Sequence, residues 1–245
     1  VDKIIEPEEF KLMALDRSRK ALIYGGTSTV ILGILFSLFS DIDLIFSGLF
    51  FDPALDLDGQ TQKRFWLRHS EYLRFVFWLV DVVARVVLVA AIAITAYRVW
   101  RKHPKLLASS IVTASLVLGP ALTVNSVFKE HWDRARPGQI VNFGGDKNFS
   151  AAWVISDQCK RNCSFTSGHA AAGFSFIVGH FVSRTAIWLW LGVVSGFTIG
   201  LARIAVGAHF LSDVIFSFFA VYLVAALVTL AFIKIHNHKN LKKYR

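Results

Sequence analysis

The chain has 245 residues, 54% of them hydrophobic, and a mean hydropathy of +0.50, which excludes an ordinary soluble domain. Its formal charge of +10 resides mostly in short Lys/Arg runs that flank apolar segments. Charges placed that way record membrane topology and attraction to anionic headgroups, and they argue against a nucleic-acid partner.

Residues 1–20 are polar and mixed in charge, and F-K-L-M-A-L within them fits a short surface helix. Ala21–Ser40 is apolar for long enough to cross a bilayer and has no small-residue cleavage site after it, so it reads as an uncleaved first span. Asp41–Glu71 is a connector by turns acidic and aromatic, and it reads either as interfacial structure with Phe50, Phe51, Phe65 and Trp66 at headgroup level or as a plain solvated loop. The second span runs over Tyr72–Val99 and the third over Leu107–Phe128, separated by R-K-H-P-K. A long polar interval follows. The fourth span (Gly168–Val182) is short but rich in Ala, Gly and Ser, which suits close helix packing. The fifth (Thr185–Ala202) and sixth (His209–Ile233) precede a basic tail, residues 234–245, whose His236 and His238 read as solvated.

These readings give an all-α fold, a six-span helix bundle forming a single integral-membrane domain over residues 1–245. Six spans place residues 1–20, the Arg98–Lys105 turn, Arg184 and the tail on one side. That side holds the larger share of Lys and Arg, so both termini are expected in the cytoplasm. The long interval and the segment around Arg203 then share the outer face. Cys159 and Cys163, with three residues between them, lack nearby partners for a zinc site. They read either as a short-loop disulfide in an oxidising compartment or as two thiols; the topology favours the former.

Three pieces carry chemistry: K-E-H-W-D-R-A-R-P (Lys129–Pro137), S-G-H (Ser167–His169) and A-R-I-A-V-G-A-H-F-L-S-D (Ala202–Asp213). Cleaving a phosphate ester needs fixed donors around the oxygens, a nucleophile in line and an acid for the leaving group. Arg136 and Arg203 offer planar bidentate donors and Lys129 a point charge. Ser167 and Gly168 fall at a helix start, where backbone N–H groups attract an anion. His209 and Asp213 are four apart, on one face if the sixth helix has begun, so the carboxylate can hold one imidazole nitrogen and leave the other as nucleophile. His169 then remains as general acid. Each piece alone has a bland reading, as a basic helix cap, a common helix start or a surface pair. Their convergence on one membrane face makes the joint coincidence improbable.

Lys129, six residues, Arg136-Pro137; Ser167-Gly168-His169; Arg203, five residues, His209, three residues, Asp213: this spacing resembles the three-part signature of the type 2 phosphatidic acid phosphatase superfamily. Thr166 stands where that family usually has proline, and Ala202 where it usually has serine. The resemblance implies a cofactor-free, metal-independent lipid phosphatase with its active site at one membrane face. His209 would attack phosphorus, Asp213 orient it and His169 protonate the leaving group; Lys129, Arg136, Ser167, Gly168 and Arg203 would hold the phosphate. W-D-R-A-R-P-G-Q-I-V-N-F-G-G and the Cys-containing segment look most like bacterial lipid A phosphatases, which implies an inner-membrane protein with a periplasmic site.

The expected partner is a phospholipid or lipid A-type substrate, with no obligate protein partner evident. Undecaprenyl diphosphate and phosphatidylglycerol phosphate are alternative substrates, and phosphate transfer between lipids is an alternative reaction. Arg64 and Arg68, on the same outer face, are the candidate headgroup contacts. A six-span transporter is the rival from another class, but it predicts ionisable groups throughout the spans. Here Asp81 and Arg85, four apart in the second span, are the clearly deep ones, and they can pair with each other.

Overall fold

The computed structural model describes residues 7–55 and 64–243, and all regular structure among them is helical apart from two isolated bridges, Phe51 with Phe65 and Ile140 with Lys147. Five helices are long and apolar enough to cross a membrane: α1 (Glu8–Leu38), α3 (Glu71–Trp100), α4 (Leu106–His131), α6 (Ile187–Ala205) and α7, whose apolar stretch is Leu211–His238. A shorter apolar helix, α5 (Gly168–Val182), completes the six expected spans. The connector between α1 and α3 contributes one short helix, α2 (Asp41–Gly48).

Several boundaries differ from expectation for physical reasons. The polar segment after Pro7 is not a separate surface helix but the uninterrupted start of α1. The winding carries through Lys20 into a π-helical turn, Ala21–Gly25, and resumes as α-helix at Gly26. At the other end α7 continues past Ile233 to Lys243, so the basic tail extends the helix. α4 is wound as a π-helix over Val117–Phe128, around Pro120, which has no N–H to give. Thr123, Asn125 and Ser126 return side-chain bonds to the carbonyls of Leu118, Pro120 and Ala121, five residues back.

α7 is the central element and packs against α1, α4, α5 and α6. α6 approaches through glycines spaced four apart. A methyl group at Gly196 would stand 2.1 Å from the Phe174 ring of α5, and one at Gly200 2.3 Å from Val214 of α7. In a bilayer, where apolar burial does not drive helices together, such closeness supplies the packing attraction. α3 lies outside, against α4 and α5, and Phe77 is its buried residue.

The two ends of the bundle are chemically distinct. At one, Arg17 of α1 donates to the carbonyls of His180, Ser183 and Arg184, and Arg184 pairs with Glu9. That contact ties the start of α1 to the turn between α5 and α6. At the other end lie the start of α5, the long interval and the start of α7.

The connector is more buried than expected. Phe65 does not face outward: it is 1% exposed, packed with Ala135, Ile140, Phe143 and Phe210. Backbone bonds from Asp52 to Arg64 and from Trp66 to Phe50 pin it there, while Trp66 stays exposed. Residues 56–63 of the connector, Lys63 included, lie outside the described residues.

Candidate active site

His209 does not lie on the last helix. α7 starts at Leu211, and His209 occupies the preceding turn after Gly207, a left-handed residue at φ +68°. That position is available only to glycine here, since a side chain would also enter the Phe65 ring. His209 Nδ1 lies 2.8 Å from the carbonyl oxygen of Ser164 and 3.5 Å from Asp213 Oδ2. A carbonyl can only accept, so Nδ1 carries the proton and Nε2 the lone pair. Nε2 is buried and makes no hydrogen bond among the described residues. Burial, with Arg203 and Arg136 adding to it against the Asp213 contact, pushes the imidazole down to about 3. The ring is therefore neutral at neutral pH and its lone pair available.

Asp213, expected to orient His209, makes its hydrogen bonds elsewhere. One of its oxygens accepts from Arg134 Nη1 at 2.7 Å; the other accepts from Ser164 Oγ at 2.5 Å and from the Phe210 N–H at 2.8 Å. Arg134 lies in the first motif but is closed off from any substrate. It is fully buried between Asp213 and Asp43, 2.8 Å from Asp43 Oδ2, and also bonds Ser150 and Ser212. Its guanidinium lies 4.2 Å over the Phe210 ring. Asp43, on α2, accepts the Ser212 N–H and hydroxyl at the start of α7. Burial, and then the second carboxylate of Asp213, push Asp43 up, and Arg134 opposes them. Sequence reasoning missed Asp43, because nothing local marks an acidic residue in an amphipathic connector helix as the partner of an arginine 91 residues away.

The second motif docks on the third through the backbone. Ser167 N–H donates to the Asp213 carbonyl, and Ser217 Oγ donates to the Ser167 carbonyl at 3.0 Å. The Ser167 hydroxyl accepts from the Ala170 N–H as the cap of α5, leaving its own proton to give. Gly168 is required by a close approach: a methyl group there would stand 2.3 Å from Asn125 Oδ1 of α4. The Phe165–Thr166 peptide is cis, and Ala202 packs beside Phe77.

Lys129, Arg136, His169 and Arg203 converge, each within range of the others' charge. Arg136 Nη2 donates to the Asn162 carbonyl at 2.8 Å, and burial, then Arg68, pushes its guanidinium down. Asn162 belongs to the loop closed by a disulfide between Cys159 and Cys163, whose Cα atoms are 5.7 Å apart. Arg68 donates to the Val206 carbonyl and lines, with Arg136, Arg161, Gln139 and Asn162, a polar pocket of about 220 Å³. It therefore stands beside the phosphate-binding candidates rather than on a remote wall. Arg64 sits next to Phe65 in the bridged connector and does not line that pocket. Asp81 of α3 was expected to pair with Arg85. That contact is loose at 3.9 Å, and the other Asp81 oxygen reaches His169 Nε2 at 3.5 Å.

Three curated relatives, each named lipid A 4'-phosphatase, align with most of the chain. The one from Francisella tularensis subsp. novicida is 32% identical over 201 residues, covering 78% of this chain and 86% of its own. The one from Rhizobium leguminosarum is 35% identical over 214 residues (80% and 89%), and the one from Rhizobium etli 33% over 196 (73% and 74%). No solved structure matches the chain significantly. The model of the PAP2 superfamily matches residues 106–236, which hold all three motifs, and the chain belongs to that superfamily as an integral membrane protein.

Proposed function

We propose that this protein is a lipid phosphate phosphatase that removes a phosphate monoester from lipid A through a phosphohistidine intermediate. The observation that carries the reading is His209: buried, held as one tautomer by the Ser164 carbonyl, with Nε2 unprotonated beside Arg136 and Arg203. The names of the relatives support the substrate.

In the first step the Nε2 lone pair forms a bond to phosphorus as the bond to the leaving oxygen breaks. His169 gives that oxygen its proton. Lys129, Arg136, Arg203, the Ser167 hydroxyl and the Gly168 N–H hold the phosphoryl oxygens, supplying fixed positive charge where it develops. In the second step His169 takes a proton from water, which attacks phosphorus and releases inorganic phosphate and His209. The cations do the work a metal ion does in other phosphatases, so the reaction needs no metal and no cofactor.

The site lies at one end of the bundle, at the level where a headgroup meets the apolar helices. A lipid entering sideways keeps its tails in hydrocarbon, which avoids about 0.8 kcal/mol for each methylene otherwise exposed. We place the site on the periplasmic side of the inner membrane and both termini in the cytoplasm. The distribution of Lys and Arg favours this, and so does the disulfide beside the site.

The test is phosphate release by purified protein from lipid A, undecaprenyl diphosphate, phosphatidylglycerol phosphate and phosphatidic acid. Lipid A should be turned over fastest, His209→Ala should lose more than about 10³-fold, and chelators should have no effect. Activity retained in His209→Ala, or lost on chelation and restored by magnesium, overturns the mechanism. Preference for another of the four overturns the substrate alone.

A further inference from the structure

His169 stands among cations: Arg203 from α6, Lys129 from α4 and Arg136 from the long interval all act on its ring, and Asp81 from α3 is the carboxylate that faces it. A general acid has to hold a proton when the leaving oxygen departs, and burial of the ring, then three neighbouring positive charges, oppose that. Asp81 Oδ1 is 3.5 Å from His169 Nε2. One helical turn earlier on α3, the Phe77 ring meets the His169 ring edge-on at 5.4 Å and carries the Arg203 guanidinium 4.6 Å above its face. The face of α3 formed by Phe77 and Asp81 thus touches both a candidate proton donor and a candidate phosphate ligand. Arg85, 3.9 Å from the other carboxylate oxygen, offsets part of the charge of an acid placed in an apolar helix.

We propose that Asp81 is a positioning residue for His169: it holds the ring by Nε2, favours its protonated form against the neighbouring cations and leaves Nδ1 to address the leaving oxygen. The proposal rests on the reading of His169 as general acid. The proton passes from His169 to the leaving oxygen as the P–O bond breaks, and Asp81 remains ionised throughout. Each histidine of the site then has its own carboxylate neighbour, Asp213 near Nδ1 of His209 and Asp81 near Nε2 of His169.

The experiment compares two phosphate esters on the full chain in detergent. One is an alkyl phosphate, whose leaving group needs a proton; the other is 4-nitrophenyl phosphate, whose leaving group needs almost none. Asp81→Asn should lower kcat on the alkyl ester about 10- to 100-fold, part of the roughly 10²- to 10⁴-fold that general acid catalysis supplies, with KM little changed and a much smaller loss on the nitrophenyl ester. Removing the carboxylate makes the imidazolium easier to deprotonate. The alkaline limb of the alkyl-ester profile should therefore move to lower pH, and Asp81→Glu should restore part of both effects. Equal losses on the two esters, or an unmoved alkaline limb, overturn the proposal. Tungstate binding to Asp81→Asn reports whether the pocket is intact, and Asp81→Glu keeps the question open to decision if it is not. His169→Asn separates the two readings. If it shows no dependence on leaving group, the assignment of His169 fails; if it does and Asp81→Asn does not, only the role of Asp81 fails.

Discussion

His209 gives its Nδ1 proton to the carbonyl oxygen of Ser164, at 2.8 Å, and not to the carboxylate of Asp213, which stands 3.5 Å away. Asp213 is instead committed to Arg134, Ser164 Oγ and the Phe210 N–H. Its removal should therefore act on the fold as well as on the nucleophile. Asp213→Asn should lower the melting temperature in detergent, because it leaves Arg134 buried with one partner fewer. A His209→Asn variant should keep a melting temperature close to the parent. Equal melting temperatures for the two variants would contradict this division of labour.

Arg134 and Arg136 are two residues apart and serve different ends. Arg134 is fully buried, with Asp43 and Asp213 as partners. Breaking such a pair by removing one partner typically destabilises by about 3–5 kcal/mol. Arg134→Gln should thus fold poorly or melt early, and Asp43→Asn should share the defect in milder form. Arg136→Gln should melt normally and lose activity. Measured melting and turnover should consequently rank the two arginine variants in opposite orders.

Much of this was legible in the chain. Hydropathy located the helices to within a few residues at most ends, and motif spacing brought Lys129, Ser167, Gly168, His169, Arg203, His209 and Asp213 to one end of the bundle. Less visible were the contacts that cross the fold. Asp43 lies in a helix with no motif, and its partner Arg134 reads as one more basic cap. Phe65 looked like an interfacial aromatic because its burial depends on Gly207 and Phe143, far away in sequence. Asp81 and Arg85 satisfied each other at helical spacing, so periodicity gave no reason to look for His169 across the bundle. The start of α7 after His209 was hidden because apolar residues, Val206 and Ala208 before His209 and Phe210 and Leu211 after it, flank the turn on both sides.

The lowered pKa of His209 has a consequence for pH. Its value moves from 6.5 to about 3 because the ring is buried beside Arg203. Between those values the unfolded chain binds a proton that the folded chain does not, so this group's contribution to stability falls as pH drops from above 6.5 towards 3. His209→Asn removes the term. The parent should accordingly lose more melting temperature than the variant between pH 7.5 and 5, and parallel losses would contradict burial of a neutral ring.

Gly168 tests the spacing between α4 and α5. A methyl group at this position would stand 2.3 Å from Asn125 Oδ1, and Asn125 is anchored to the Pro120 carbonyl in the π-wound part of α4. Gly168→Ala should push the start of α5 away and displace the neighbouring His169. Turnover should drop more than binding of a phosphate analogue, and Asn125→Ala, which opens the space, should recover part of the loss in the double variant.

Arg68 offers a test of how a headgroup and a phosphate would share the candidate site. It was expected to contact lipid with Arg64, apart from the phosphate pocket. The structure puts it on the Val206 carbonyl, beside Arg136 and Arg161 in the polar pocket. A charge at that distance from Arg136 acts on any phosphate ester, whatever its tail. Arg68→Ala should therefore raise KM for a short soluble ester as well as for a long-chain lipid. Arg64 is not among the residues that line that pocket, so Arg64→Ala should spare the soluble ester and change KM for the lipid alone. If Arg68→Ala leaves the soluble ester unaffected, the guanidinium serves the headgroup only. If Arg64→Ala raises KM on both esters equally, the connector supports the pocket rather than the lipid.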